Sequence, residues 1–320
     1  MTLAGWTVAL FLCLAPAAGA SVGFQTASIA VAGDRPLRVG IWYPSDAAEA
    51  PTPLALSMQI VAPDAAMAGS RHPLIVISHG TGGSFADHFD TAQALARAGF
   101  IVVAVSHTGD TYDDRSRALR ITERSGQLVR TIDYMTTEWR DHGAVDARRI
   151  GAFGFSSGGF TVLSLIGGEP DMALVAPHCR EHPAYFDCQL TPTMGAVAPT
   201  VPAPVAHDRR VRAAVVAAPA VGFSFAPSGL AKVRIPVQLW RAEADTILPN
   251  PLYAEAVRGL LPRRPEYHVV PGADHFDFLP PCSDGLKAAA PQICGSHIDR
   301  AAFHATFNAQ VVRFFRATLR

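Results

Sequence analysis

The chain has 320 residues, no formal net charge, and 49% hydrophobic against 17% charged residues. That balance supports a large buried core and removes the simplest electrostatic grounds for binding nucleic acid or an anionic membrane surface. The length suits a single large α/β domain carrying an insertion better than a small module.

The first segment reads as an address. An apolar run from Val8 to Ala15 precedes Ala18-Gly19-Ala20, a small-residue cleavage pattern. The run is too short to span a bilayer comfortably, which sets cleavage against the alternative of an uncleaved anchor. Residues 1–20 are therefore expected to be a cleaved signal peptide, residues 21–320 a periplasmic or secreted domain without stable membrane insertion. Cys13 follows Leu12, not a small residue, which argues against lipid attachment.

Beyond it, Ala27–Ala32 and Leu37–Tyr43 are predicted as paired strands joined at Gly33-Asp34, and residues 44–72, rich in Ala, Pro and Ser, as a loop. Leu74–Ser78 is a short apolar run suited to a strand buried on both faces. A helix is expected over Asp87–Ala98, ending at Gly99, then a strand over Phe100–Val105. A helix around Gln127–Arg140, a strand over Arg149–Phe155 and a helix over Gly159–Ile166 follow. The period breaks between Gly167 and Arg210, a proline-rich stretch that reads as an inserted cap of about 167–210. Strands resume at Val211–Ala218, Ile235–Trp240 and Tyr267–Val270, and Ala301–Leu319 is a closing helix. The alternation predicts an α/β architecture: a mainly parallel central sheet flanked by helices, with a cap inserted after the helix Gly159–Ile166.

Four cysteines remain after the signal: Cys179, Cys188, Cys282 and Cys294. They allow three connectivities, of which nearest-neighbour pairing is expected in an oxidising compartment. His178, Cys179 and His182 lie together, but their spacing matches no strong zinc pattern. No metal or cofactor is expected.

Gly154-Phe-Ser156-Ser-Gly158 matches G-x-S-x-G where a strand gives way to a helix. Such an elbow forces a sharp turn in which side chains at the flanking positions would collide with neighbouring backbone. The glycine frame selects Ser156 over Ser157 as nucleophile. Upstream, His79-Gly-Thr81-Gly-Gly83 follows a buried strand. A glycine-rich loop there can bring a backbone N–H to an oxyanion, and the expected donors are the amides of Thr81 and Ser157. His79 itself is expected to be a structural hydrogen-bonder, and His107 a possible lining residue. No Lys or Walker pattern accompanies the loop, which sets aside phosphate binding.

The order nucleophile, acid, histidine points downstream to Asp245 and His275, each just beyond a predicted strand. His275 would act as general base and Asp245 would orient it. Glu243 is the rival acid. Asp274 and Asp277 flank His275 too closely in sequence and read as loop or cap residues, and His268 lies within a strand pattern.

Together, Ser78–Gly83, Ile150–Gly159, the His178-Cys179 cap, Leu239–Asp245 and His275–Leu279 resemble the bacterial predicted dienelactone hydrolase group, related to platelet-activating-factor acetylhydrolases within the α/β-hydrolase superfamily. The resemblance spans most of the chain past residue 20 and implies a Ser156, Asp245, His275 triad. The chain departs from dienelactone hydrolases proper in having serine where they use cysteine. It departs from the animal acetylhydrolases in having Ala217-Ala-Pro-Ala220, without a carboxylate, where they place the acid. The expected function is hydrolysis of a small-molecule or lipid carboxylic ester through an acyl-enzyme on Ser156. An acyltransferase using the same triad is the alternative, and a non-catalytic binding protein on the same fold the second.

Overall fold

The computed structural model of the chain describes residues 21–194 and 201–320. The expected signal segment 1–20 and part of the expected cap, 195–200, lie outside the described residues. The chain opens with antiparallel strands β1 (Ser21–Ile29) and β2 (Leu37–Ser45). A hairpin, β3 (Ala50–Leu54) and β4 (Ser57–Pro63), follows. This corrects the expected loop over 44–72. Pro51 and Pro53 hid the strand, yet proline is tolerated on an edge strand, where half the amides need no partner, and β3 is the edge of the sheet.

Then come β5 (His72–Ser78), α1 (Phe89–Arg97), β6 (Ile101–Ser106), α2 (Arg124–Thr137), β7 (Val145–Phe155) and α3 (Ser157–Leu165). The segment expected as a cap contributes two short helices, α4 (Val175–Glu181) and α5 (Phe186–Met194). The last third runs β8 (Val211–Ala217), β9 (Val237–Ala242), α6 (Ala254–Leu260), β10 (Glu266–Val270), α7 (Asp284–Ala289) and α8 (Arg300–Thr318).

Among the described residues the ten strands form one sheet, ordered β10-β9-β8-β7-β5-β6-β2-β1-β4-β3. The six strands from β10 to β6 are mutually parallel. Because side chains alternate across a strand, β5 feeds both faces: Leu74 and Val76 join the core under α2 and α3, Ile75 and Ile77 the core under α1 and α8. Burial on both faces explains why these strands read as continuous apolar runs. Their parallel pairing places the carboxyl ends of β5, β7, β9 and β10 along one edge.

Disulfides join Cys179 to Cys188 and Cys282 to Cys294, the nearest-neighbour pairing. Closing loops of this length stabilises each by about 3 kcal/mol in the chain-entropy picture. This α4–α5 segment is also tied to the residue before α6 by a polar chain. The His178 Nε2–H donates to the Tyr253 hydroxyl at 3.1 Å, and that hydroxyl donates to the Asp187 carboxylate at 3.0 Å. The His178 ring stacks on Phe223 at 3.8 Å. His178 and Asp187 lie near the Cys188 sulfur, but that sulfur is bonded to Cys179 and cannot serve as a thiolate ligand. Among the described residues no helix is long and apolar enough to cross a membrane.

Candidate active site

The turn between β7 and α3 carries Ser156 at φ 56°, ψ −121°, a region that non-glycine residues enter only where surrounding structure forces them. The forcing is visible. Ser156 N–H donates to Ala217 O of β8 at 2.9 Å, and Ser156 O accepts from Gly159 N and Ala220 N. A Cβ on Gly154 would lie 2.1 Å from Gly158 O, and one on Gly158 would lie 1.9 Å from Ser78 O. No side chain fits at either position, so the two glycines that frame the motif are steric requirements of the turn.

Ser156 Oγ lies 3.1 Å from His275 Nε2, and His275 Nδ1 lies 2.8 Å from Asp245 Oδ2. The second Asp245 oxygen accepts the backbone N–H groups of Ile247 and Leu248 at 3.0 and 2.7 Å. All three residues are buried. An aspartate that only accepts forces His275 Nδ1 to carry the proton, leaving Nε2 free to accept from the serine hydroxyl. Phe155 packs beside the His275 ring at 4.8 Å, which helps to fix its plane.

The rivals lie elsewhere. Glu243 is exposed and accepts from Gly272 N at 2.9 Å. Asp274 and Asp277 form a reciprocal cap on the turn that bears His275. Asp277, fully buried, also pairs with Arg300 at 3.1 Å, tying the histidine turn to α8. His268 stacks on Trp240 at 4.0 Å.

The loop after β5 meets the start of α3. Thr81 Oγ1 and Ser157 Oγ are 2.5 Å apart, and a Cβ on Gly80 would come within 3.3 Å of Ser156 Cβ. Ser157 is the first residue of α3, where backbone N–H groups have no carbonyl one turn earlier to bond. The His79 Nδ1–H donates to Gly80 O at 2.5 Å, and His79 Nε2 accepts from the His107 N–H at 3.0 Å. Since Gly80 O and Thr81 N–H belong to one trans peptide, pulling the carbonyl inward turns the N–H the opposite way. Burial, with Arg124 beside it, holds His79 neutral, its pKa well below the ordinary histidine value. His107 is a structural residue and does not line the site. Its Nδ1–H donates to Gln127 at 2.8 Å and its Nε2 accepts from Ser78 Oγ at 2.8 Å.

His88, which sequence reasoning passed over, sits edge-on to Phe153 and Phe155 at 5.1 and 5.4 Å. Neither ring nitrogen has a protein hydrogen-bond partner. Burial pushes its pKa down to about 4. The unfolded chain therefore takes up this proton first, so the histidine's contribution to stability is complete above about pH 6.5 and is lost as pH falls towards 4. Between pH 7 and 4.5 the loss amounts to about 2–3 kcal/mol. Urea unfolding of His88→Phe at the two pH values is expected to show an acid-induced loss smaller by about that amount. Equal losses in variant and wild type would refute the assignment.

A family model described as serine aminopeptidase, S33, matches residues 69–221, which span the loop after β5 and the turn that bears Ser156. No curated protein matches the chain by sequence. Among solved structures, a ferulic acid esterase from Streptomyces cinnamoneus superposes with a TM-score of 0.67 at 23% identity, covering 96% of this chain and 92% of that one. The strand order, the strained serine turn and this full-length superposition agree: the chain has the α/β-hydrolase fold.

Proposed function

We propose that this protein is a serine hydrolase that cleaves carboxylic esters through an acyl-enzyme on Ser156. The observation that carries the reading is the unbroken buried chain from Ser156 Oγ through His275 to Asp245. His275 Nε2 takes the hydroxyl proton as Oγ attacks the ester carbonyl carbon. The negative charge on the carbonyl oxygen is held by the N–H groups of Thr81 and Ser157. Collapse breaks the bond to the alkoxy oxygen, which takes the proton from His275. A water then repeats the sequence on the acyl-serine, with His275 again the base, and releases the acid. Asp245 keeps the imidazole oriented and stabilises its cation.

A ferulic acid esterase as a full-length structural neighbour supports an ester over an amide, as does the motif resemblance to the dienelactone hydrolase and acetylhydrolase group. The two disulfides fit an oxidising compartment and support an exported protein, with residues 1–20 as its signal. The test uses protein beginning at Ser21, with p-nitrophenyl acetate, butyrate and longer esters, and an aminoacyl p-nitroanilide beside them. Metal-independent turnover of the esters is expected. Cleavage of the anilide with no ester turnover would overturn the reading in favour of an aminopeptidase.

A further inference from the structure

Beneath the loop after β5 lies a charge pair that the chemistry above does not use. Arg124, the first residue of α2, and Asp110 are each about 2% exposed, with Arg124 Nη1 3.4 Å from Asp110 Oδ2. Arg124 Nη2 donates to His79 O, and Asp110 Oδ1 accepts from Gly82 N–H at 2.8 Å. The Arg124 Nε and Nη1 atoms make no hydrogen bond. A buried pair left partly unsatisfied is a poor device for stability alone, because matched apolar residues would serve as well or better.

Its placement suggests another role. His79 O belongs to the peptide before Gly80, and Gly82 N–H to the peptide after Thr81. The peptide between them carries Thr81 N–H. In a loop with glycine at 80, 82 and 83, peptide planes can reorient at little steric cost, so a donor aimed at a developing oxyanion needs its neighbours fixed.

We propose that the Arg124–Asp110 pair is a positioning device, clamping both neighbours of the Gly80–Thr81 peptide so that Thr81 N–H is aimed before substrate arrives. The inference rests on the ester-hydrolase reading. Arg124 and Asp110 touch neither substrate nor the reacting atoms.

The test compares wild type with Arg124→Lys and with the double variant Arg124→Met, Asp110→Leu, which removes both charges together and leaves no uncompensated ion. Near-ultraviolet circular dichroism reports folding, and a fluorophosphonate titrates active sites, so that kcat is expressed per competent molecule. For p-nitrophenyl butyrate, kcat is expected to fall about 10–100-fold in the double variant with KM nearly unchanged, and less in Arg124→Lys. Inhibition by an alkyl trifluoromethyl ketone, which forms a tetrahedral adduct on the serine, should weaken by the same factor as kcat/KM falls.

Unchanged kcat per titrated site in a folded double variant overturns the proposal and leaves the hydrolase reading intact. So does an equal loss of active sites without change in kcat. If the double variant does not fold, Arg124→Lys decides by the same kcat and inhibitor readouts. Full esterase activity in Ser156→Ala would instead overturn the reading and the proposal with it.

Discussion

Ser156→Ala is expected to lower kcat for p-nitrophenyl butyrate by about 10⁴–10⁶-fold while the protein stays folded. The magnitude follows from losing covalent catalysis outright: with no hydroxyl at Oγ, His275 has no proton to take and no acyl-enzyme forms. A residue of catalysis over water should persist, since the Thr81 and Ser157 amides can still bind a tetrahedral species formed by water attack. Folding should survive because the strained angles at position 156 are imposed by backbone bonds to Ala217, Gly159 and Ala220, none of which uses the side chain. A fluorophosphonate should label the peptide containing Ser156 in wild type and nothing in the variant. Wild-type turnover in the variant, or labelling on Ser157, would refute the assignment.

How much of this was legible beforehand varied with the range of the interaction. The nucleophile turn was readable because its requirements are local: glycine at 154 and 158 is demanded by contacts with Gly158 O and Ser78 O, and the flanking strand and helix carry plain apolar patterns. The parallel strands were readable because burial on both faces leaves unbroken apolar runs. The β3–β4 hairpin was missed because Pro51 and Pro53 argue against a strand until its edge position is known.

Long-range polar chemistry was the least accessible. His178 meets Tyr253 across 75 residues, and Arg124 meets the His79 carbonyl across 45. For Arg124 a local signal did exist. It shares one helical stripe with Leu128, Thr131 and Met135, all buried, and a cation in phase with an apolar stripe either breaks the pattern or has a buried partner. The sequence already favours Asp245 over Glu243, which stands closer to the strand end, but their partners are visible only in space. Glu243 comes first after β9 and is drawn to Gly272 N. Asp245 lies far enough along for its carboxylate to reach back to His275.

Asp245→Asn should be nearly as damaging as loss of the nucleophile, about 10⁴-fold in kcat, although it changes one atom and little packing. The reason lies in the bonds Asp245 already makes. One of its oxygens accepts two backbone N–H groups, from Ile247 and Leu248. In an asparagine, only the carbonyl oxygen can fill that place, because turning the amide over would set its NH₂ against two donors. The NH₂ must then face His275 Nδ1, which has to accept rather than donate. The imidazole proton moves to Nε2, where it points at Ser156 Oγ, and the base is lost at the atom that needs it. Asp245→Ala, which removes the conflict along with the carboxylate, should therefore be no worse than Asp245→Asn and is expected to recover part of the rate. Glu243→Gln should leave kcat close to wild type, since its partner is a surface amide. Activity retained in Asp245→Asn and lost in Glu243→Gln would move the acid to Glu243 and break the hydrogen-bonded chain on which the functional reading stands.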